Sequence, residues 1–145
     1  FAGLSHRCEL VAVREGVTWV NDSKATNVAA TVAAIQSLSV MCNKRLVMIM
    51  GGEGKDADFS SLKAVFKEFV THVILIGKDA DAIASVIPMS CSQQRAETLS
   101  DAVNMAAMFA KSGDVIALSP ACASFDMFSN YEDRGKAFSR YVSEL

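Results

Sequence analysis

The sequence predicts an α/β fold, a mostly parallel sheet flanked by helices on both faces, with an N-terminal β-hairpin contributing an antiparallel strand. Three observations lead there. Short runs that are apolar at nearly every position recur at Arg45–Met50, Val73–Ile76 and Val115–Leu118, as in strands buried on both faces. Between them lie segments with apolar residues spaced by three and four, the mark of amphipathic helices. The strand-like runs end in stretches rich in Gly, Ser, Asp or Asn, which punctuate regular structure. Strands alternating with helices imply parallel neighbours in a Rossmann-like arrangement.

Cys8–Val13 and Val17–Val20 flank Arg14-Glu15-Gly16 and read as the hairpin. The β-branched and aromatic Val17-Thr18-Trp19-Val20 suits a strand. A helix is expected from about Asn27 to Leu38, with Val28, Val32, Ile35 and Leu38 as its buried stripe and Thr26 or Asn27 as its cap. After the Arg45–Met50 strand and a glycine-rich loop, Ser60 or Ser61 can cap a helix whose Leu62, Val65, Phe66 and Phe69 share one face. The Val73–Ile76 strand stops at Gly77, and Lys78-Asp79 opens a helix carrying Ile83, Val86 and Ile87 that Pro88 ends. A short strand is expected near Cys91. Thr98 and Asp101 start a helix bearing Leu99, Ala102, Val103, Ala106 and Ala110. The Val115–Leu118 strand and a final helix from about Tyr131 to Ser143, with Phe138 and Val142 on one side, complete the chain.

Composition narrows the function. The 145 residues suit one domain, 51% hydrophobic and 21% charged, with formal net charge −2. No basic block supports nucleic-acid binding, and no apolar run reaches the length of a membrane span. Cys8, Cys42, Cys91 and Cys122 are far apart without a CxxC pair, and His6 and His72 lack ligand spacing, so no metal site is expected. Three of the cysteines sit beside apolar residues and read as small core hydrophobes. Free thiols suggest a reducing compartment, the cytoplasm. The chain begins at Phe1 without an initiator Met, and reads as a domain cut from a longer protein.

Three loops at strand ends hold most of the unusual polar residues, where open α/β sheets bind ligands. In the first, Asn21 to Asn27, Asp22, Ser23, Lys24, Thr26 and Asn27 crowd a strand-to-helix junction, as a cap or as a site. The second, Gly51 to Asp58, is not a Walker A motif, since Ile49 stands where its first glycine belongs and Asp56 where Ser or Thr should follow Lys55. Its glycines suit either a tight backbone presenting Lys55 to a carboxylate or a flexible loop with Lys55 in solvent. In the third, Ser119 to Asn130, small residues permit close approach, and Ser124 with adjacent N–H groups could bind a carboxylate. A nucleophilic Ser124 or Cys122 is disfavoured without a GxSxG elbow or a partner base. His6 and Arg7, ahead of the first strand, read as solvated surface residues.

Read together, His6-Arg7-Cys8-Glu9, Asn21-Asp22-Ser23-Lys24-Ala25-Thr26-Asn27, Gly51-Gly52-Glu53-Gly54-Lys55, Ser119-Pro120-Ala121-Cys122-Ala123-Ser124-Phe125-Asp126 and Glu132-Asp133-Arg134-Gly135-Lys136-Ala137-Phe138 resemble the C-terminal domain of the Mur ligase family, in its D-glutamate-adding branch. The resemblance runs from Gly3 to Leu145. It implies a cytoplasmic, monomeric, ATP- and Mg2+-dependent ligase that phosphorylates the carboxylate of UDP-N-acetylmuramoyl-L-alanine and couples the acyl phosphate to D-glutamate in peptidoglycan synthesis. On that resemblance Lys24 lines the reaction centre. Thr26, Lys55, Ser124, the backbone near Phe125, and Tyr131 hold D-glutamate, while Arg7, Asp22 and Asn27 face the nucleotide. ATP and Mg2+ would be bound mainly by a central domain. That domain and an N-terminal one, both absent from this chain, would be its partners, and this domain alone should not catalyse ligation. Glu53 beside Lys55, and a hydroxyl on Tyr131 where a plain aromatic is typical, are mild departures. The alternatives are a related amide ligase using another amino acid, and a non-catalytic α/β module for a small anion.

Overall fold

The computed structural model describes residues 4–42 and 45–145, and the side chain of Cys42 is not among what it describes. Phe1 and Gly3, from which the start of the chain and of the resemblance were read, lie outside the described residues. The elements run β1 (Glu9–Arg14), β2 (Val17–Asn21), α1 (Val28–Cys42), β3 (Leu46–Gly51), α2 (Leu62–Phe69), β4 (Val70–Ile76), α3 (Ala80–Ala84), β5 (Ser92–Arg95), α4 (Leu99–Phe109), β6 (Val115–Leu118) and α5 (Tyr131–Ser143). One six-stranded sheet has the order β1-β2-β6-β3-β4-β5. Only β1 is antiparallel to its neighbour, joined to β2 through Glu15 and Gly16, both with positive φ (52° and 78°). That pair of conformations matches the right-handed twist of a hairpin.

Strand alternation assigns side chains to two cores. Leu46, Met48 and Met50 pack with Ile35 and Leu38 of α1, Phe66 of α2 and Ile83 of α3. Val47 and Ile49 point the other way, joining Trp19, Ile74 and Ile116 to Leu99 and Val103 of α4 and Phe138 and Val142 of α5. The last strand, β6, inserts between β2 and β3, so the loop after it emerges between the loops of the first two. Those are the three polar loops read from the sequence. The outer strand β5 carries the exposed Ser92-Gln93-Gln94-Arg95, a polar edge that discourages further pairing.

Several local expectations change. Helix α1 extends to Cys42 rather than stopping at Leu38, and Asn27 is its cap, accepting the Ala30 N–H at 2.9 Å. Its buried residues are Thr31, Ala34, Ile35 and Leu38, while Val28 and Val32 are half-buried, because Thr31 turns inward to reach the third loop. Neither Ser60 nor Ser61 caps α2 through its side chain. Asp58 Oδ1 instead accepts the Ser60 N–H at 2.9 Å. Helix α3 ends at Ala84, and Val86 and Ile87 reach the core from the turns beyond it, since Pro88 disfavours a helical residue before it. Cys91 and Cys122 are buried, and Cys8 is half-buried against the same core. His72 is a core residue, 2% exposed, with ring nitrogens 2.6 Å from Ser92 Oγ and 2.7 Å from Gln94 Oε1, and its ring stacks on Phe109.

The two helix starts make a checkable contrast. Thr98 accepts the Asp101 N–H at 3.0 Å, whereas Ser61 makes no such bond. Urea denaturation should find Thr98→Ala about 1 kcal/mol less stable than wild type and Ser61→Ala within about 0.5 kcal/mol of it.

Candidate functional site

Backbone hydrogen bonds lace the three loops together beyond the strand ends. Asp22 N–H donates to Leu118 O (2.7 Å), Gly51 N–H to Pro120 O (3.0 Å) and Ala121 N–H to Ala25 O (3.0 Å). Glu53 and Ala123 exchange a reciprocal pair at 3.0 and 2.9 Å. Gly52, at φ +136°, permits this crossing, since a Cβ there would stand 2.4 Å from Ala123 O. Asp79, after β4, braces the second loop by accepting the Gly54 N–H at 2.6 Å. The His6–Cys8 segment docks on the first loop, with Lys24 N–H donating to His6 O (2.9 Å) and Cys8 N–H to Asp22 Oδ1 (3.0 Å).

Beneath the loops runs a buried polar seam centred on Arg134, which is 1% exposed. Its Nε donates to Ser23 Oγ (2.9 Å), one terminal nitrogen to Ser23 O (2.7 Å) and the other to Cys122 O (3.0 Å). Ser23 Oγ donates in turn to Tyr131 O at 2.7 Å. Burial pushes the Arg134 guanidinium down to about 10, so it remains charged at neutral pH. Among the described residues no carboxylate forms an ion pair with it. Asn21 adds a second tie, donating to Gly135 O (3.2 Å) and accepting the Ser23 N–H (3.0 Å), with its Nδ2 3.1 Å from His6 Nδ1. His6 is therefore half-buried and edge-on to the Tyr131 ring, not a solvated histidine, because it closes this seam. Asp22, 4% exposed, accepts Ser119 Oγ–H at 2.7 Å on the oxygen that Cys8 leaves open. Burial raises its carboxyl above the usual range, against the hydrogen bonds of Ser119 and Cys8 and the nearby charge of Arg7. Thr31 Oγ1 donates to Ser119 O at 3.2 Å.

Two clefts open on this scaffold and divide the residues singled out from sequence. One, of about 430 Å³, is lined by Thr26, Lys55, Ser124, Phe125 and Tyr131, together with Glu53 and Glu132. The other, of about 330 Å³, is lined by Arg7, Asp22 and Lys24, with Cys8 and the alanine face of α1. Asn27 lines neither, and its side-chain oxygen is committed to the α1 cap. The first cleft offers one ammonium, hydroxyls and the start of α5, whose Asn130 cap accepts the Asp133 N–H. That is a donor set for carboxylates. The second offers two cations near a carboxylate whose oxygens are already engaged, which suits an anion and not a divalent cation.

Arg134, Asn21, Ser23, Ser119 and Thr31 carry the scaffold, yet sequence reasoning did not single out Arg134, Ser119 or Thr31. A signal existed for Arg134. It lies three, four and eight residues before Ala137, Phe138 and Val142, so helical phase puts it on the buried stripe of α5.

Arg134→Met should lower the unfolding free energy by about 2–4 kcal/mol, because two buried carbonyls lose their donors. Arg134→Lys should recover only part of this, lacking the guanidinium fork; urea denaturation of the chain measures both. The thiols give a second check. Burial pushes Cys8 and Cys122 up to about 12, with the nearby carboxylates Asp22 and Asp79 adding to it, respectively. At pH 8 each is therefore only about 10⁻⁴ thiolate, and mass spectrometry should find both far slower to alkylate in native than in denatured protein.

Comparison with known proteins places the chain in a family and bears out its fold. Residues 6–122 match the family described as Mur ligase, glutamate ligase domain. The whole chain is 52% identical to the UDP-N-acetylmuramoylalanine–D-glutamate ligase of Saccharophagus degradans and 47% identical to that of Pseudomonas putida, spanning 32% of the length of each. Among solved structures, the murein peptide ligase Mpl of Psychrobacter arcticus superposes with a TM-score of 0.68 at 18% identity, over 100% of this chain and 31% of that one. The bifunctional folylpolyglutamate synthase/dihydrofolate synthase of Yersinia pestis gives 0.69 at 17%, over 99% and 32%. These two similarities concern the fold. The match over residues 6–122 and the identities across the full chain make it a member of the Mur ligase family, in its glutamate ligase domain.

Proposed function

We propose that this chain is the C-terminal domain of a cytoplasmic, ATP-dependent ligase that joins D-glutamate to UDP-N-acetylmuramoyl-L-alanine, and that its larger cleft receives D-glutamate. The observation that carries the reading is the sorting of residues between clefts. Thr26, Lys55, Ser124, Phe125 and Tyr131 line one, and Arg7, Asp22 and Lys24 line its neighbour. The relatives' names supply the substrate class.

The residue chemistry suits the division. A dicarboxylate amino acid needs a cation and several fixed donors, which Lys55, Thr26, Ser124 and the N-terminus of α5 offer. Phosphoryl oxygens need positive charge as the acyl phosphate forms and is attacked, and Arg7 and Lys24 would supply it, Lys24 at the reaction centre. Asp22 would act chiefly by holding the Cys8 N–H and the Ser119 hydroxyl, fixing the floor on which Lys24 stands. Among the described residues no group of three His, Cys, Asp or Glu side chains could hold a metal ion. The metal would belong to the central domain, with the rest of the nucleotide site.

In the full-length enzyme, Lys55→Ala should raise the KM for D-glutamate at least ~10-fold, one charge-assisted hydrogen bond being worth roughly 1.5–3 kcal/mol. An unchanged KM removes Lys55 from the site. Assaying D-glutamate, L-glutamate, L-lysine and diaminopimelate in parallel tests the amino acid. Turnover of another member of the panel would make this a related amide ligase, and turnover of none would favour a binding module.

A further inference from the structure

Lys55 meets an aromatic face in the larger cleft, not a carboxylate. Its Nζ lies 5.6 Å from the centroid of the Phe125 ring, within the range of cation–π attraction. Phe125 is 63% exposed, so it does not serve the core. Glu53 and Glu132 line the same cleft, yet among the described residues the ion pairs are Arg45–Asp114 and Arg95–Asp81, and neither glutamate takes up Lys55. The backbone at Lys55 and Asp56 is left-handed, with φ of 51° and 61°, a conformation that needs support from its surroundings.

We propose that Phe125 is a positioning residue whose ring holds the Lys55 ammonium ready for an incoming carboxylate, a role that rests on reading this cleft as the D-glutamate site. A carboxylate neighbour would neutralise the ammonium and occupy its N–H donors before substrate arrived. An aromatic face attracts the charge without cancelling it and leaves donors free. A lysine side chain loses much rotamer freedom when it is fixed, and a ring that has already restricted it lowers the cost of capturing substrate. The benefit therefore falls on binding and not on the chemical step.

The test uses the full-length ligase and steady-state kinetics in D-glutamate for Phe125→Leu, Phe125→Tyr, Lys55→Met and the Phe125→Leu/Lys55→Met double variant. Phe125→Leu should raise KM about threefold with kcat held, and Phe125→Tyr, which keeps the ring, should restore it. In the Lys55→Met background Phe125→Leu should add nothing. A wild-type KM for Phe125→Leu, or the same rise with and without Lys55, overturns the proposal while the cleft keeps its assignment. A wild-type KM for Lys55→Met overturns the assignment of the cleft and the proposal with it. A substrate-free readout stands beside these. In enzyme labelled with ¹³C-lysine, the ε-methylene resonance lost in Lys55→Met should shift in Phe125→Leu as the ring current is removed. A resonance that stays in place overturns the stacking.

Discussion

A buried guanidinium holds together the face of this domain that carries the three polar loops. Arg134 reaches from α5 under the loops after β2 and β6, donating to both the hydroxyl and carbonyl of Ser23 and to the Cys122 carbonyl. Charge buried without an ion-pair partner is costly unless it is hydrogen-bonded. Here the bonds go to groups that would otherwise be orphaned themselves, since loop carbonyls at strand ends have no ladder partner. Each component therefore needs the others. The guanidinium requires the loops in these positions, and the loops lose their buried donors without it.

The clefts follow from that constraint. Ser23 and Cys122 are tethered to one side chain, and the neighbours of Ser23 on the first loop, Lys24 and Thr26, line different clefts. The second loop is attached separately, through the Glu53–Ala123 exchange that Gly52 makes sterically possible. Lys55 therefore stands opposite Ser124 and Tyr131 by backbone geometry, and only its ammonium remains to be aimed. Phe125 meets that remaining freedom.

The repeated fold elements were legible because each rests on a local pattern. β3 and β6 declare themselves through unbroken apolar runs, and α4 through Thr98, Asp101 and its stripe. The candidate site was legible as far as composition reaches: polar residues concentrated after strands β2, β3 and β6. Local reading failed where a distant group competes for the same atoms. Thr31 turns inward because the Ser119 carbonyl needs a donor. Ser61 fails as a cap for a local reason, its own backbone being already helical at φ −68° and ψ −13°. His6 is half-buried because Asn21 and Tyr131 enclose it. Arg134 could have been found by helical phase, but its partners lie 12 and 111 residues away.

The sequence by itself determined the alternation of strands and helices, the placing of polar residues at three strand ends, and the chemical kinds of donor available. Those properties depend on neighbours within a few positions, through side-chain periodicity and turn preference. The tertiary structure decided which of those residues share a cleft, and that the ammonium of Lys55 lies over an aromatic ring. The insertion of β6 between β2 and β3 brings loops a hundred residues apart into hydrogen-bonding distance. Contacts of that kind are fixed by strand order and by the satisfaction of buried polar groups, which no local pattern encodes.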